Sequence, residues 1–268
     1  MRRTITALVL CLISMCGTMA QIHNTKHIDV AILGDSNTWI GGDDCNKEKG
    51  WNKWFKDFFR PASCKSYARS GATWTNTEVT KANTEENIGV LGNDNVIYNQ
   101  ILRLQQAVES GEQVVPGLII IAAGTNDAWF QDKRPGIFDM GTEMALMTVG
   151  DDLSAIKVNE MTSLAQSVFF GIALLRESFP DVQIVLLTPL QCVATSLENI
   201  QKVGDVIAEC ADACGISYIR QDSSDFLDRE VESEQKRFTY DGTHTNAKGA
   251  RHNAEKLAQI IPLMLRKY

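Results

Sequence analysis

Four short stretches of this 268-residue chain hold the residue types needed to move an acyl group. They are Gly34-Asp35-Ser36-Asn37-Thr38, Arg69-Ser70-Gly71-Ala72-Thr73, Gly124-Thr125-Asn126-Asp127 and Asp241-Gly242-Thr243-His244-Thr245-Asn246. A serine becomes a nucleophile only when a base accepts its proton, and the imidazole of His244 does so near neutral pH. Asp241, three residues earlier, is placed to hold the other ring nitrogen and to stabilise the imidazolium that forms. The tetrahedral oxyanion then needs donors. The backbone N–H groups of Ser36 and Gly71 and the side-chain amide of Asn126 would supply them, and a Cβ at position 71 would obstruct the approach of substrate.

Each stretch also has an ordinary structural reading. Gly-Asp-Ser is a common turn, Gly-Thr-Asn-Asp suits a helix cap, and Asp241 to His244 suits a solvated surface turn. Position along the chain separates the readings. Apolar runs at Ile28–Leu33, Cys64–Ala68, Leu118–Ala123, Val182–Thr188 and Ile216–Ile219 read as strands. The third and fourth are apolar on consecutive positions, as in strands covered on both faces. Helical periods fill Trp51–Phe59, Ile97–Ser110, Glu160–Ser178, Leu197–Ala213 and Ala247–Lys267. Strand and helix in alternation imply an α/β fold, with a five-stranded parallel sheet sandwiched between helices, in one domain spanning residues 21–268. In such sheets ligands sit at the carboxyl ends of strands. The first three stretches directly follow strands, and the fourth precedes the last helix, so all four converge on one edge.

The blocks GDSNT, ARSGAT, GTND and DGTHTN resemble, in order, the four signature blocks of the SGNH (GDSL-type) esterase/lipase superfamily. The resemblance runs from Ile28 to the last helix. It implies Ser36 as nucleophile, His244 as base, Asp241 as its acid partner, and Ser36, Gly71 and Asn126 as the oxyanion hole. It also implies a flavodoxin-like three-layer α/β/α sandwich that needs no metal or cofactor. Asn37 departs from the pattern by standing where leucine often follows the serine, which weakens assignment to the lipase branches. The Gly-x-Ser-x-Gly elbow of ordinary α/β-hydrolases is missing.

Composition narrows the partners. With 26 basic and 33 acidic residues the net charge is −7, and no basic run is present, which argues against nucleic-acid binding. No window reads as a membrane span; Val168–Leu175 is the greasiest helical piece and is short. Residues 1–20 read as a signal peptide, with Arg2 and Arg3, an apolar Ala7–Met15 and a small-x-small site at Thr18-Met19-Ala20. The expected location is extracytoplasmic, periplasmic or secreted; a lipid anchor through Cys16 is the alternative. Five cysteines remain: Cys45, Cys64, Cys192, Cys210 and Cys214. Cys45 with Cys64 is a candidate bridge, Cys192, Cys210 and Cys214 equally suit a core, and no histidine has metal-ligand spacing to any of them.

Trp39, Trp74 and Trp129 each stand three residues beyond a block residue, and they are candidate substrate-binding side chains for a sugar ring or an acyl group. Packing beneath the following helix is the competing reading for each. The long stretch from Trp129 to Val158 carries Phe130, Phe138, Met140, Met144 and Met147. It is expected to wall the pocket over Ser36, the alternative being a satellite core against the body. The residues together read as an exported serine esterase acting through an acyl-enzyme, its small-molecule or polysaccharide ester substrate carrying O-acyl (acetyl) groups on carbohydrate. A lipase, lysophospholipase or thioesterase of the same fold is one alternative, and a non-catalytic glycan-binding protein is another.

Overall fold

A computed structural model of the chain describes residues 25–86, 88–150 and 152–265. The expected leader, Cys16 included, lies outside the described residues. In chain order the elements are β1 (Asp29–Gly34), α1 (Ser36–Trp39), α2 (Trp51–Phe59), β2 (Ser63–Ser66), α3 (Ile97–Glu109), β3 (Leu118–Ala122), α4 (Thr125–Trp129) and α5 (Thr142–Thr148). They continue with α6 (Leu164–Ser178), β4 (Gln183–Leu187), α7 (Leu197–Cys214), β5 (Ser217–Ile219), α8 (Arg229–Gln235) and α9 (Ala247–Met264). All five expected strands and all five expected helices are present, with shifted ends. The helix expected from Glu160 starts only at Leu164, because Ser163 and Gln166 close a reciprocal capping box there. That expected to reach Lys267 ends at Met264, and residues 266–268 lie outside the described residues.

The strands form an all-parallel sheet in the order β2-β1-β3-β4-β5. Alternation along each strand sends its side chains into two cores. Ala31, Leu33, Ile119, Ile121, Ile184 and Leu186 face α3, α6 and α7. Val30, Ile32, Leu118, Ile120, Val185 and Leu187 face α2 and α9 through Phe55, Phe59, Leu257 and Ile261. Burial of a Val, Leu or Ile side chain of this kind contributes about 1.5–3 kcal/mol. Among the described residues no helix is long and apolar enough to cross a membrane.

Register sets the level of the strand ends. Gly34 pairs with Ala122, and Ala122 with Leu187, so β1, β3 and β4 finish side by side. The strand order reverses between β1 and β3, the place where such sheets open a crevice. The Ser36 and Asn126 blocks leave the sheet at that point.

The stretch from Trp129 to Val158 corrects the expectation of a wall over Ser36. Ile137 and Ala145 are buried, Phe138 and Met140 pack on the core beneath α6 and α7, and α5 lies against both helices. Met144 and Met147 stay exposed. Of the apolar residues between positions 130 and 158, Ile137, Phe138, Met140, Ala145 and Val149 thus extend the core, as in the satellite reading, while Leu146 is exposed along with the two methionines.

Cys192 and Cys210 fill the α3/α6/α7 core. Cys45 and Cys64 are not bridged, yet their sulfurs lie 3.6 Å apart and both are buried. The hydrogen bond that the Cys64 thiol donates to Cys45 Sγ, then burial, push the Cys64 thiol upward, which disfavours the reactive thiolate. Refolding in a glutathione redox buffer is expected to close the pair. Constraining a loop of this length in the unfolded chain adds about 3 kcal/mol. A melting temperature that does not fall on adding dithiothreitol to the oxidised protein would count against this.

Candidate active site

Gly34 ends β1 in a space that admits no side chain: a Cβ there would lie 2.5 Å from the Ala122 carbonyl and 2.8 Å from Thr38 Oγ1. The Gln100 side chain from α3 clamps this glycine from behind, accepting from its N–H and donating to its carbonyl, both at 2.8 Å. Asp35 then caps α1 by accepting from Asn37 N at 3.1 Å. Ser36 is thereby the first residue of a short helix that starts at the edge of the sheet.

The fourth block reaches Ser36 from the far end of the chain. His244 Nε2 lies 2.9 Å from Ser36 Oγ, and His244 Nδ1 lies 2.7 Å from Asp241 Oδ2. The other carboxylate oxygen accepts from the backbone N–H of His244 at 2.7 Å and of Thr243 at 2.9 Å. An ionised carboxylate only accepts, so Nδ1 carries the proton and the Nε2 lone pair faces the Ser36 hydroxyl. Burial works to raise the Asp241 pKa, but the hydrogen bonds from His244 and Thr243 outweigh it and hold the group below the usual range.

Asn37 does what a leucine at this position could not. Its amide donates to the Thr243 carbonyl at 3.3 Å and accepts from Thr245 N at 3.1 Å, clasping the histidine loop to the serine helix. The loop has a second anchor in Glu232 of α8, which is wholly buried. Its carboxylate accepts from Phe238 N, Thr239 N and Thr239 Oγ1, at 2.7–3.0 Å. Tyr240 stacks on the His244 ring at 5.7 Å between centroids.

Gly71 has φ of +78°, which disfavours any residue with a side chain. Here the structure gives a different reason for glycine than access of substrate. A Cβ would meet Val90 Cγ1 at 2.7 Å and Leu91 N at 2.9 Å. Asn126 donates to the Ala72 carbonyl at 2.9 Å, leaving its second amide hydrogen for another acceptor. Among the described residues, no acceptor is hydrogen-bonded to the N–H of Ser36 or of Gly71. Asp127, next to Asn126 and wholly buried, joins the two blocks. It accepts from Trp74 N at 3.0 Å, Thr75 N at 2.9 Å and Thr75 Oγ1 at 2.6 Å.

The tryptophans divide. Trp39 and Trp129 are 45% and 38% exposed, on the helices that begin with Ser36 and just before Asn126. Trp74 is a correction: at 1% exposure it lies in the core against Gly171 and offers no face to a substrate. Asp127 pulls its backbone inward and the side chain follows. Gln100, Glu232, Asp127 and Tyr240 escaped the sequence reading, and only the conjunction Asn126-Asp127 gave any signal.

Asp35 supplies a pH prediction. Burial raises its pKa to about 6, against hydrogen bonds from Thr125 and Asn37 and the favourable charge of His244; Asp127 adds repulsion. A carboxyl whose folded-state pKa is raised contributes stability below its unfolded pKa near 4 and loses it as pH climbs through about 6. Asp35→Asn, which keeps a cap, is therefore expected to be the more stable protein above pH 6 by up to about 3 kcal/mol. The gain should shrink toward zero at pH 4. Urea unfolding at both pH values measures it, and an equal difference at both would exclude Asp35 as the source.

Among the described residues, no group of three or more His, Cys, Asp or Glu side chains is gathered as a metal site.

The model of the GDSL-like Lipase/Acylhydrolase family matches residues 32–252. A candidate GDSL-like lipase from Bacteroides ovatus ATCC 8483 has a similar structure, with a TM-score of 0.54 and 17% identity, covering 89% of this chain and 98% of that one. One from Bacteroides uniformis ATCC 8492 gives 0.52 and 18%, covering 88% and 96%. The acetyl xylan esterase AlAXEase gives 0.50 and 18%, covering 86% and 98%. No curated protein matches the sequence. With its fold shared by these structures and the family model matching residues 32–252, most of its length, the chain belongs to the GDSL-like Lipase/Acylhydrolase family, a family of ester-hydrolysing enzymes.

Proposed function

We propose that the protein is an exported serine esterase that removes small acyl groups, acetyl above all, from carbohydrate. The observation that carries the reading is the relay Ser36 Oγ–His244–Asp241, with hydrogen bonds of 2.9 and 2.7 Å. Ser36 Oγ attacks the ester carbonyl while its proton passes to His244 Nε2. The oxyanion is held by Ser36 N–H, Gly71 N–H and the Asn126 amide. The tetrahedral species collapses, the C–O bond breaks, and His244 returns the proton to the departing sugar hydroxyl. Water then attacks the acyl-enzyme, giving its proton to Nε2, and Ser36 is restored as the carboxylic acid leaves. Asp241 stays ionised throughout.

Three features support a carbohydrate leaving group. Trp39, Trp129 and Tyr240 are exposed on the elements that carry Ser36, Asn126 and His244, giving flat apolar faces of the kind on which sugar rings pack. Asn37 replaces the leucine common in lipase-like first blocks. One structural relative is an acetyl xylan esterase. The test is a panel of acetylated polysaccharides, nitrophenyl esters of rising chain length and long-chain lipids, assayed side by side. Acetyl release from polysaccharide with little action beyond short chains is expected. A preference for long-chain lipid would favour a lipase instead.

A further inference from the structure

The chain that leaves Gly71 turns back onto it some twenty residues later. A Cβ on Gly71 would lie 2.7 Å from Val90 Cγ1 and 2.9 Å from Leu91 N, so the space beside this glycine is closed to even one carbon atom. A Cβ stands about 2.5 Å from its own backbone nitrogen, which puts Val90 Cγ1 within about 5 Å of the Gly71 nitrogen. Val90 is nevertheless 66% exposed and belongs to neither core. Its methyl groups are open to a ligand at the oxyanion glycine.

The position of Val90 is fixed rather than loose. Val90 and Leu91 are the central residues of a turn closed by Gly92 N, which donates to the Gly89 carbonyl at 2.8 Å. Leu91 takes a φ of +60°, a left-handed conformation that costs a leucine energy and persists where its surroundings enforce it. Asn95, 2% exposed, ties the turn to the Gly71 block. Its N–H donates to the Gly92 carbonyl at 3.0 Å, its side chain donates to the Ser70 carbonyl at 2.6 Å, and its carbonyl accepts from Thr73 N at 3.3 Å. The Gly71 block is tied in turn to the other two strand-end blocks. Arg69 N donates to the Gly34 carbonyl at 3.1 Å, and the Asn126 amide to the Ala72 carbonyl at 2.9 Å. Val90 is therefore held in register with Ser36.

The proton path decides which part of the ester Val90 meets. His244 returns its proton to the alcohol oxygen, so the alcohol leaves on the His244 side. His244 precedes α9, which with α2 covers one face of the sheet. The Gly71 block and the turn lead into Trp74 and α3, which pack on the opposite face. Val90 thus stands away from the departing alcohol, on the side left to the acyl group.

We propose that Val90 is the residue that limits acyl length: acetyl fits beside Gly71, and each further carbon runs into the valine. The inference rests on the esterase reading above, in which Gly71 N–H holds the oxyanion, and assigns the preference for short acyl groups to one side chain.

The experiment measures kcat/KM for nitrophenyl acetate, butyrate and hexanoate, and for acetates of alcohols of rising size. It uses the wild-type protein, Val90→Ala and Val90→Phe, exposed-site substitutions that leave the fold standing. The ratio of hexanoate to acetate rates is expected to rise about tenfold in Val90→Ala and to fall about tenfold in Val90→Phe, the discrimination that one or two methylenes carry in an apolar pocket. The order among the acetates should stay that of the wild type. A ratio that moves in neither variant, a ratio lowered by Val90→Ala, or a change among alcohols in place of acyl groups would overturn the role of Val90 while leaving the esterase intact. A wild-type protein that hydrolyses none of these esters would overturn the esterase reading, and the acyl limit with it.

Discussion

Ser36→Ala and His244→Ala are each expected to lower ester hydrolysis by more than about 10⁴-fold while the protein remains folded, because hydroxyl and imidazole work as one unit. Removing either member leaves the other with nothing to activate, so the double variant should be scarcely slower than each single one. Asp241→Asn should lose about a hundredfold less. Asp241 fixes the tautomer and steadies the imidazolium, but it touches neither the attacking oxygen nor the carbonyl. Steady-state rates with nitrophenyl acetate, read beside circular dichroism, measure all of these. Near-normal turnover in folded Ser36→Ala would place the nucleophile elsewhere.

A second large effect is expected at Asp127, a residue that touches no substrate. Its carboxylate takes two backbone N–H groups and one hydroxyl from Trp74 and Thr75 in a site without solvent. Asp127→Ala leaves those donors buried and unpaired, at roughly 1–3 kcal/mol each. A loss of about 3–5 kcal/mol is expected in urea unfolding. Activity should fall too, since the same carboxylate holds the Gly71 block against the Asn126 block. A loss under about 1 kcal/mol would show that the loop is held by its other bonds, those of Thr73 to the Asn95–Ile97 backbone among them.

What was legible in the sequence follows from the physics of each signal. Ile119, Ile120 and Ile121 are consecutive apolar residues because β3 is covered on both faces, so the sheet could be read directly. The Ser36, Gly71, Asn126 and His244 blocks each suit a plain turn or cap alone, and could be read because they stand together in order, each beside a sheet or helix end. Trp74 could not be placed. Three residues past a block, an indole looks the same whether it faces a cleft or the core, and only the fold of the Gly71 loop decides. The Gly124–Asp127 block offered Asp127 only a cap's role, and Glu232 gave no signal at all, for a related reason. An isolated acid reads as surface, and its burial under a loop depends on backbone N–H groups converging from elsewhere. Helices α5 and α8 are seven residues each, too short for a helical period to emerge. The start of α6 was within reach, since Ser163-Leu164-Ala165-Gln166 spells a capping box.

The serine mechanism is tested most directly by covalent capture. A fluorophosphonate ester reacts only with an activated nucleophile, forming an O–P bond to the enzyme as fluoride leaves. Intact-mass and peptide analysis of the wild-type protein should show one equivalent added, on the peptide containing Ser36. Ser36→Ala should take up none, and His244→Ala should react slower by orders of magnitude. Labelling on another side chain, or equal labelling of the wild type and Ser36→Ala, would contradict Ser36 as the nucleophile.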